Sequence, residues 1–357
     1  MGLCLSSPKP AKKRAGPRTV KPAPLGPATA SAKDSFPLSE PKSPRGVPGP
    51  YHPGITYPTR SVSPNEQLDY TSRVTIKGHA NTGHKLLNSY AGEIPIGKET
   101  VQVTVKALRK IGSGSSDTDF TKWTEAVRQR LKGEISVWKK VDGPGSLVPY
   151  IGIATVDDVP AVLTQFVDGT SATEYTERLS VADIRPLILE FADALKSLHS
   201  QQLRHGSIEP QHFIVDKKGK AKLTGFAFDR MVEEELEKLR PVEEYRRSAR
   251  YTPPETLEGK PTNDKSDVYS FACVALELMT RNQPFHTTKK EEAVIGLVLG
   301  GKPQLVKDYA PLEDDPWFVS LERCLTKDVE ARPSMAEVYD ELSGILKNQT
   351  QPSTGHL

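Results

Sequence analysis

Apolar and polar positions change their spacing once along this chain, near Gly169. Before it, short runs of period two dominate. Val101–Leu108 reads Val-Gln-Val-Thr-Val-Lys-Ala-Leu, and its β-branched residues alternate with polar ones, which predicts a half-buried strand. Strands are also predicted at Arg73–Lys77, Leu87–Gly92, Val148–Ala154 and Pro160–Phe166. One helix interrupts them, Phe120–Lys140, ended by Asp142-Gly143-Pro144-Gly145. After Gly169 the period lengthens. Ile184, Leu187, Ile188, Phe191, Leu195 and Leu198 fall on one helical face. Two short strands follow, Phe213–Val215 and Ala221–Thr224, then a charged stretch from Arg230 to Arg250 that predicts little regular structure. Further helices are predicted at Val268–Thr280, Lys289–Leu299, Trp317–Leu325 and Met335–Leu346. A strand-rich half before a helix-rich half predicts an α+β, two-lobed plan.

Composition adds a third region. About half of the 30 prolines precede residue 65, where ten Lys and Arg face only Asp34 and Glu40. Such a Pro-rich, basic segment buries too little apolar surface to offset its chain entropy, so residues 1–65 are expected to be disordered, as are 348–357. The total charge is +3, so a basic tail precedes a mildly acidic body. Cys4, Cys273 and Cys324 are too few and too scattered for a disulfide framework or a zinc site. No apolar run approaches the length of a membrane span.

The chain begins Met1-Gly2-Leu3-Cys4-Leu5-Ser6. A glycine exposed after loss of Met1, with a serine four positions on, fits N-myristoylation at Gly2, and Cys4 is placed for S-palmitoylation. One acyl chain binds membranes only marginally, so stable anchoring needs the second chain or the basic residues that follow. This predicts a peripheral protein on the cytoplasmic side of the plasma membrane.

Seven motifs in order make residues 70–347 resemble the protein-kinase family, nearest its tyrosine-kinase-like group, with a smaller lobe over 70–168 and a larger over 169–347. Val103-Thr104-Val105-Lys106 is similar to V-A-V-K, whose lysine grips nucleotide phosphates. Lys132–Trp138 is similar to the helix whose glutamate, here Glu134, pairs with that lysine. His205-Gly206-Ser207-Ile208-Glu209-Pro210-Gln211-His212 stands where H-R-D-x-K-P-x-N belongs. Lys222-Leu223-Thr224-Gly225-Phe226 stands where D-F-G belongs. Tyr251-Thr252-Pro253-Pro254-Glu255 resembles the A-P-E segment, and Ser266-Asp267-Val268 and Ala331-Arg332-Pro333 resemble two helix starts.

Residue by residue, the resemblance implies a degenerate member, a pseudokinase. The catalytic Asp is replaced by Ser207, which cannot act as a base near neutral pH. The catalytic-loop Lys is Glu209, a reversed charge. The two metal-ligand positions hold His212 and Gly225, and neither offers the hard oxygen that Mg²⁺ prefers. Asp229 lies four residues too late to replace the missing aspartate. Lys106 and Glu134 are expected to form a structural ion pair, and any nucleotide would meet Lys106, Glu134, Thr164 and Phe166. ATP binding is expected to be weak, with no cofactor or Mg²⁺ required. Fold-level parts are retained: His205 and Phe226 in the lobe-linking column, Asp267 holding the catalytic loop, and Glu255 paired with Arg332. The expectation is a non-catalytic module that binds other kinases or their substrates, and not nucleic acid. An active atypical Ser/Thr or Tyr kinase and a nucleotide-sensing switch stay open as alternatives.

Overall fold

The β3 strand (Glu99–Leu108) shows how the smaller lobe is built. Val103, Val105 and Ala107 are buried on one face, and their alternation puts Thr104 and Lys106 on the other. In this computed structural model the described residues are 68–80, 86–109, 117–239, 248–300 and 315–350. All belong to one unit, Val62–Leu357. Gly2, Cys4 and the residues of the basic tail lie outside them, as do residues 351–357 and residues 81–85, which precede the second strand; 348–350, expected to be disordered, are instead the last residues of a helix that ends at Thr350.

β1 (Thr75–Ala80), β2 (Leu87–Ile96), β3, β4 (Tyr150–Val156) and β5 (Val159–Gln165) form an antiparallel sheet in the order β1-β2-β3-β5-β4. The β2–β3 hairpin runs in register from Leu87 opposite Leu108 to Ile96 opposite Glu99. It closes at Gly97-Lys98, where Gly97 takes φ +63°. Helix α1 (Asp117–Trp138) buries Trp123, Val127, Leu131, Ile135 and Trp138, a stripe at helical spacing that packs on the sheet.

The larger lobe begins with β6 (Gly169–Ser171) and α2 (Ala172–Thr176), short elements whose periodicity is too brief to read from sequence. In α3 (Val181–Ser200) the Ser180 hydroxyl accepts from the Asp183 amide at the N-terminus, and the predicted apolar face is buried. A 3₁₀ turn, Pro210–His212, leads into β7 (Phe213–Asp216) and β8 (Ala221–Leu223), which complete a three-stranded sheet with β6. Then comes a helix that the sequence reading did not predict, α4 (Phe228–Leu239). Arg230–Leu239 was expected to lack regular structure because acidic and basic residues crowd it. Beneath those charges Phe228, Met231, Val232 and Leu236 keep helical spacing, and all four are buried.

The further helices among the described residues are α5 (Pro254–Leu257), α6 (Asp264–Thr280), α7 (Glu291–Leu299), α8 (Pro316–Cys324) and α9 (Met335–Thr350). Helix α6 is buried all along Ser266–Met279 and starts in a reciprocal cap between Asn263 and Ser266. It is the axis against which α2, α3, α8 and α9 pack. The protein therefore has an antiparallel β lobe with one long helix, followed by a mainly helical lobe.

Candidate functional site

The loop His205–His212 is hung from α6. Both oxygens of the Asp267 carboxylate accept from it: Oδ2 from the His205 amide and Oδ1 from the Gly206 amide, each at 2.7 Å. His199 Nε2 donates to the same carboxylate at 2.9 Å. Burial alone would raise the Asp267 pKa, but the hydrogen bond and charge of His199 outweigh it and hold the group low. His205 is fully buried and its Nε2 donates to the Thr224 carbonyl at 2.8 Å. Burial, and then the neighbouring His212, push its imidazole down to about 3, so it is neutral at physiological pH. Phe226 stacks edge-on to Tyr150 at 4.8 Å, and Tyr150 meets Trp138 of α1 at 5.2 Å. The Tyr150 hydroxyl donates to the Phe226 carbonyl at 2.6 Å. Aromatic packing thus connects α1, the β sheet and the segment before α4.

Lys106 does not pair with Glu134. Its Nζ lies 3.3 and 3.2 Å from the two carboxylate oxygens of Asp229, on the first turn of α4. His212 Nε2 donates to Asp229 Oδ2 at 2.7 Å. The Asp229 side chain is fully buried between these two donors. This overturns the expected Lys106–Glu134 pair, and it places Asp229 beside Lys106 and His212 although it lies four residues late in the chain. Ala227 at φ +63° turns the backbone, and the helix then starts at once, so Asp229 points back into the cleft rather than onward.

Glu134 takes a different partner. Arg130 Nε donates to Glu134 Oε1 at 2.6 Å. The same guanidinium reaches Glu234 at 2.8 Å and Glu235 at 2.9 Å on α4. Burial would lower the Arg130 pKa, and its three carboxylate partners raise it overall. Trp123 Nε1 also donates to the Val232 carbonyl at 3.2 Å. With α4 held on α1 in this way, Glu134 is paired on its own helix.

Two glycines leave room for this arrangement. Gly225 has φ +79°, and a Cβ built there would sit 2.6 Å from His212 Cδ2 and 2.9 Å from Lys106 Nζ. Gly206 has φ +76°, and a Cβ there would overlap Arg230 Cδ and lie 2.6 Å from its Nε. The Lys106 and His212 side chains crowd the first position, and the Arg230 side chain fills the second. Ser207 is buried, and its hydroxyl has no hydrogen-bond partner among the described residues. Glu209 precedes the 3₁₀ turn, where its carbonyl accepts from the His212 amide at 3.0 Å. Thr164 lies opposite Thr104 on β3 and is buried, and Phe166 is half-buried just past β5.

Glu255 and Arg332 form a bidentate pair at 2.7 and 2.8 Å, both buried. The Ser266 hydroxyl adds a bond to Glu255 at 2.7 Å.

As arranged, these residues do not present a magnesium donor set. Gly225 has no donor, His212 offers nitrogen that is committed to Asp229, and both Asp229 oxygens already face Lys106. Sequence reasoning set Asp229 aside and missed Arg230, Arg130 and Glu234. The signal that could have found them was the buried stripe Phe228, Met231, Val232 and Leu236, which predicts a helix starting inside the cleft.

Comparison with known proteins agrees with the fold. The serine/threonine-protein kinase STY46 of Arabidopsis thaliana is 24% identical over 290 residues, 80% of this chain and 47% of that protein. The mitogen-activated protein kinase kinase kinase ANP1 of the same organism is 24% identical over 237 residues, 65% of this chain and 34% of its own. Calmodulin-binding receptor-like cytoplasmic kinase 1, also from Arabidopsis thaliana, is 25% identical over 274 residues, 70% and 55%. The matched regions span only a third to just over half of these relatives. The family described as the protein kinase domain matches residues 98–342, and with the two-lobed architecture this means that the chain belongs to the protein kinase family.

Proposed function

We propose that this chain is a catalytically impaired protein-kinase-like signalling protein, nearest the tyrosine-kinase-like group, that acts as a scaffold or allosteric partner for other kinases or their substrates. The observation that carries this reading is the cleft itself. Ser207 stands where a base is needed, Gly225 where a metal ligand is needed, and Asp229 is clamped between Lys106 and His212. Phosphoryl transfer depends almost wholly on positioning and charge neutralisation, so these losses act together. In the test, purified full-length protein is incubated with a generic protein acceptor, ATP and Mg²⁺ or Mn²⁺. Incorporation of phosphate at background level is expected. Robust, metal-dependent incorporation that Lys106→Ala abolishes would overturn the reading.

The place of action follows from Gly2, Cys4 and the basic residues after them: the inner face of the plasma membrane. Gly2→Ala is expected to move the protein from the membrane to the soluble fraction of cells. If it stays on the membrane, the acyl anchor is not what holds it there.

A further inference from the structure

The described residues begin at Leu68, and from there the chain lays a short strap along the outer edge of β4. The Tyr70 amide donates to the Ile153 carbonyl and the Ile153 amide to the Leu68 carbonyl, both at 2.8 Å. Asp69 is thereby bridged to Ile153 in parallel. The Thr71 hydroxyl accepts from the Thr155 amide at 2.9 Å and donates to Asp69 Oδ1 at 2.6 Å. The strap thus covers both amides of an uncharged edge strand, the kind that otherwise invites foreign pairing. Tyr70 is buried, Arg73 lies over its ring at 5.0 Å, and the same guanidinium donates to the Pro95 carbonyl at 2.6 Å.

Gly152 admits the strap. A Cβ there would stand 2.5 Å from the Leu68 carbonyl oxygen and 2.6 Å from the Tyr70 ring, and its three nearest neighbours are all strap atoms. Its φ is not positive, so close approach of the strap calls for glycine here, not the backbone conformation. Tyr150 lies two residues earlier on the same strand, and the register against β5 slips by one residue between them. The Tyr150 hydroxyl donates to the Phe226 carbonyl at 2.6 Å, directly ahead of the left-handed Ala227 turn that starts α4. One strand therefore holds the strap on its edge and the start of α4 at its end.

We propose that Leu68–Thr71 is a strap that relays the state of the preceding tail to the cleft: seated on β4 it keeps α4 docked through Tyr150, and withdrawn it loosens α4. Two backbone bonds, one hydroxyl bond and one buried ring hold it, and so small an attachment opens locally, well short of global unfolding. Pairing to a strand edge is made or broken rather than stretched, which gives the relay its two states. A partner or surface that draws on the tail meets the strap before any other described part of the fold. The relay holds whether or not the cleft transfers phosphate, so it and the non-catalytic reading fail separately.

The test reads amide hydrogen exchange on the full chain. Gly152→Ala, which displaces the strap, is expected to speed exchange over Leu68–Val74 and, by at least about fivefold, over α4. The amides of Ser266–Met279 in α6 should keep the wild-type rate. Tyr150→Phe keeps the ring and loses the bond to the Phe226 carbonyl. In that background α4 should already exchange fast, and adding Gly152→Ala should raise it no further. Should Gly152→Ala fail to fold, Thr71→Ala at an exposed position removes the hydroxyl contacts alone and carries the same expectation. A freed strap with α4 at the wild-type rate overturns the proposal. So does an equal rise in α6, which would mean a general loss of stability, and so does the same gain in the Tyr150→Phe background. Unchanged exchange in the strap overturns it as well, because these contacts would then not be what seats it.

Discussion

Gly225→Asp, which writes the family's metal-binding aspartate back into this chain, is expected to destabilise the protein by about 2–5 kcal/mol and to restore no phosphotransfer. Two terms make up the estimate. The left-handed backbone at φ +79° costs a residue with a side chain about 1–2 kcal/mol, and overpacking adds about 1–3 kcal/mol. Lys106 could swing its flexible end aside. The His212 ring cannot give so readily, because it packs on His205 at 5.0 Å and bonds Asp229. The new carboxylate would also face Asp229 across a buried space, and like charges there repel strongly. Urea unfolding of the wild type and the variant reads the cost. A variant within about 0.5 kcal/mol of the wild type would show that the cleft can open to accept the side chain. The same logic applies to Gly206, whose missing side chain is replaced in space by Arg230. These glycines are therefore fitted to α4, and repairing them one at a time works against the fold.

Arg332→Ala is the second large effect, at about 3–5 kcal/mol. The loss is mostly the cost of leaving Glu255 charged and buried without its partner. Arg332 is 1% exposed, Glu255 5%, and the guanidinium also lies over the Tyr269 ring at 5.0 Å. Glu255→Leu combined with Arg332→Met should recover part of the stability, since the orphaned charge is then gone. The pH dependence separates this cause from lost packing. In the wild type, burial would raise the Glu255 pKa, but the Arg332 hydrogen bonds and charge win and hold it below the usual carboxylate range. The pair's contribution is thus present above the unfolded carboxylate value and is lost as pH falls through the lowered folded value. In Arg332→Ala the Ser266 hydrogen bond remains, but burial is the largest influence on the group and outweighs it, so the folded value rises above the unfolded one. Between the two values the folded state binds more protons, and the variant should gain stability on acidification where the wild type does not. A variant with the wild-type slope would sink the explanation.

Much of the fold was legible along the chain. The alternation in Val101–Leu108 put Lys106 on the face opposite the buried valines, and the helical stripe of α3 appeared residue for residue. In both, one repeat faces one environment, so the period survives in the sequence. The short β6, α2 and α5 did not appear: β6, Gly-Thr-Ser, carries no apolar residue, and the two helices span little more than one turn, too little for a stripe to repeat.

The chemistry of the cleft was legible only as an inventory. The sequence by itself determined which groups are absent: Ser207 has no carboxylate, Gly225 no ligand, Gly206 no guanidinium. These are covalent facts, and folding cannot change them. Tertiary structure alone decided what stands in their place. Lys106 and Asp229 are 123 positions apart, and nothing local in the chain joins them. Their pairing depends on where α4 begins, and that follows from the left-handed turn at Ala227 and from burial of Phe228, Met231, Val232 and Leu236 against neighbours far away in sequence. Glu134 instead takes Arg130, one turn away on its own helix, and the same guanidinium reaches Glu234 and Glu235 of α4. Charge pairing is settled by distance and burial after packing, so it remained open until the helix was placed.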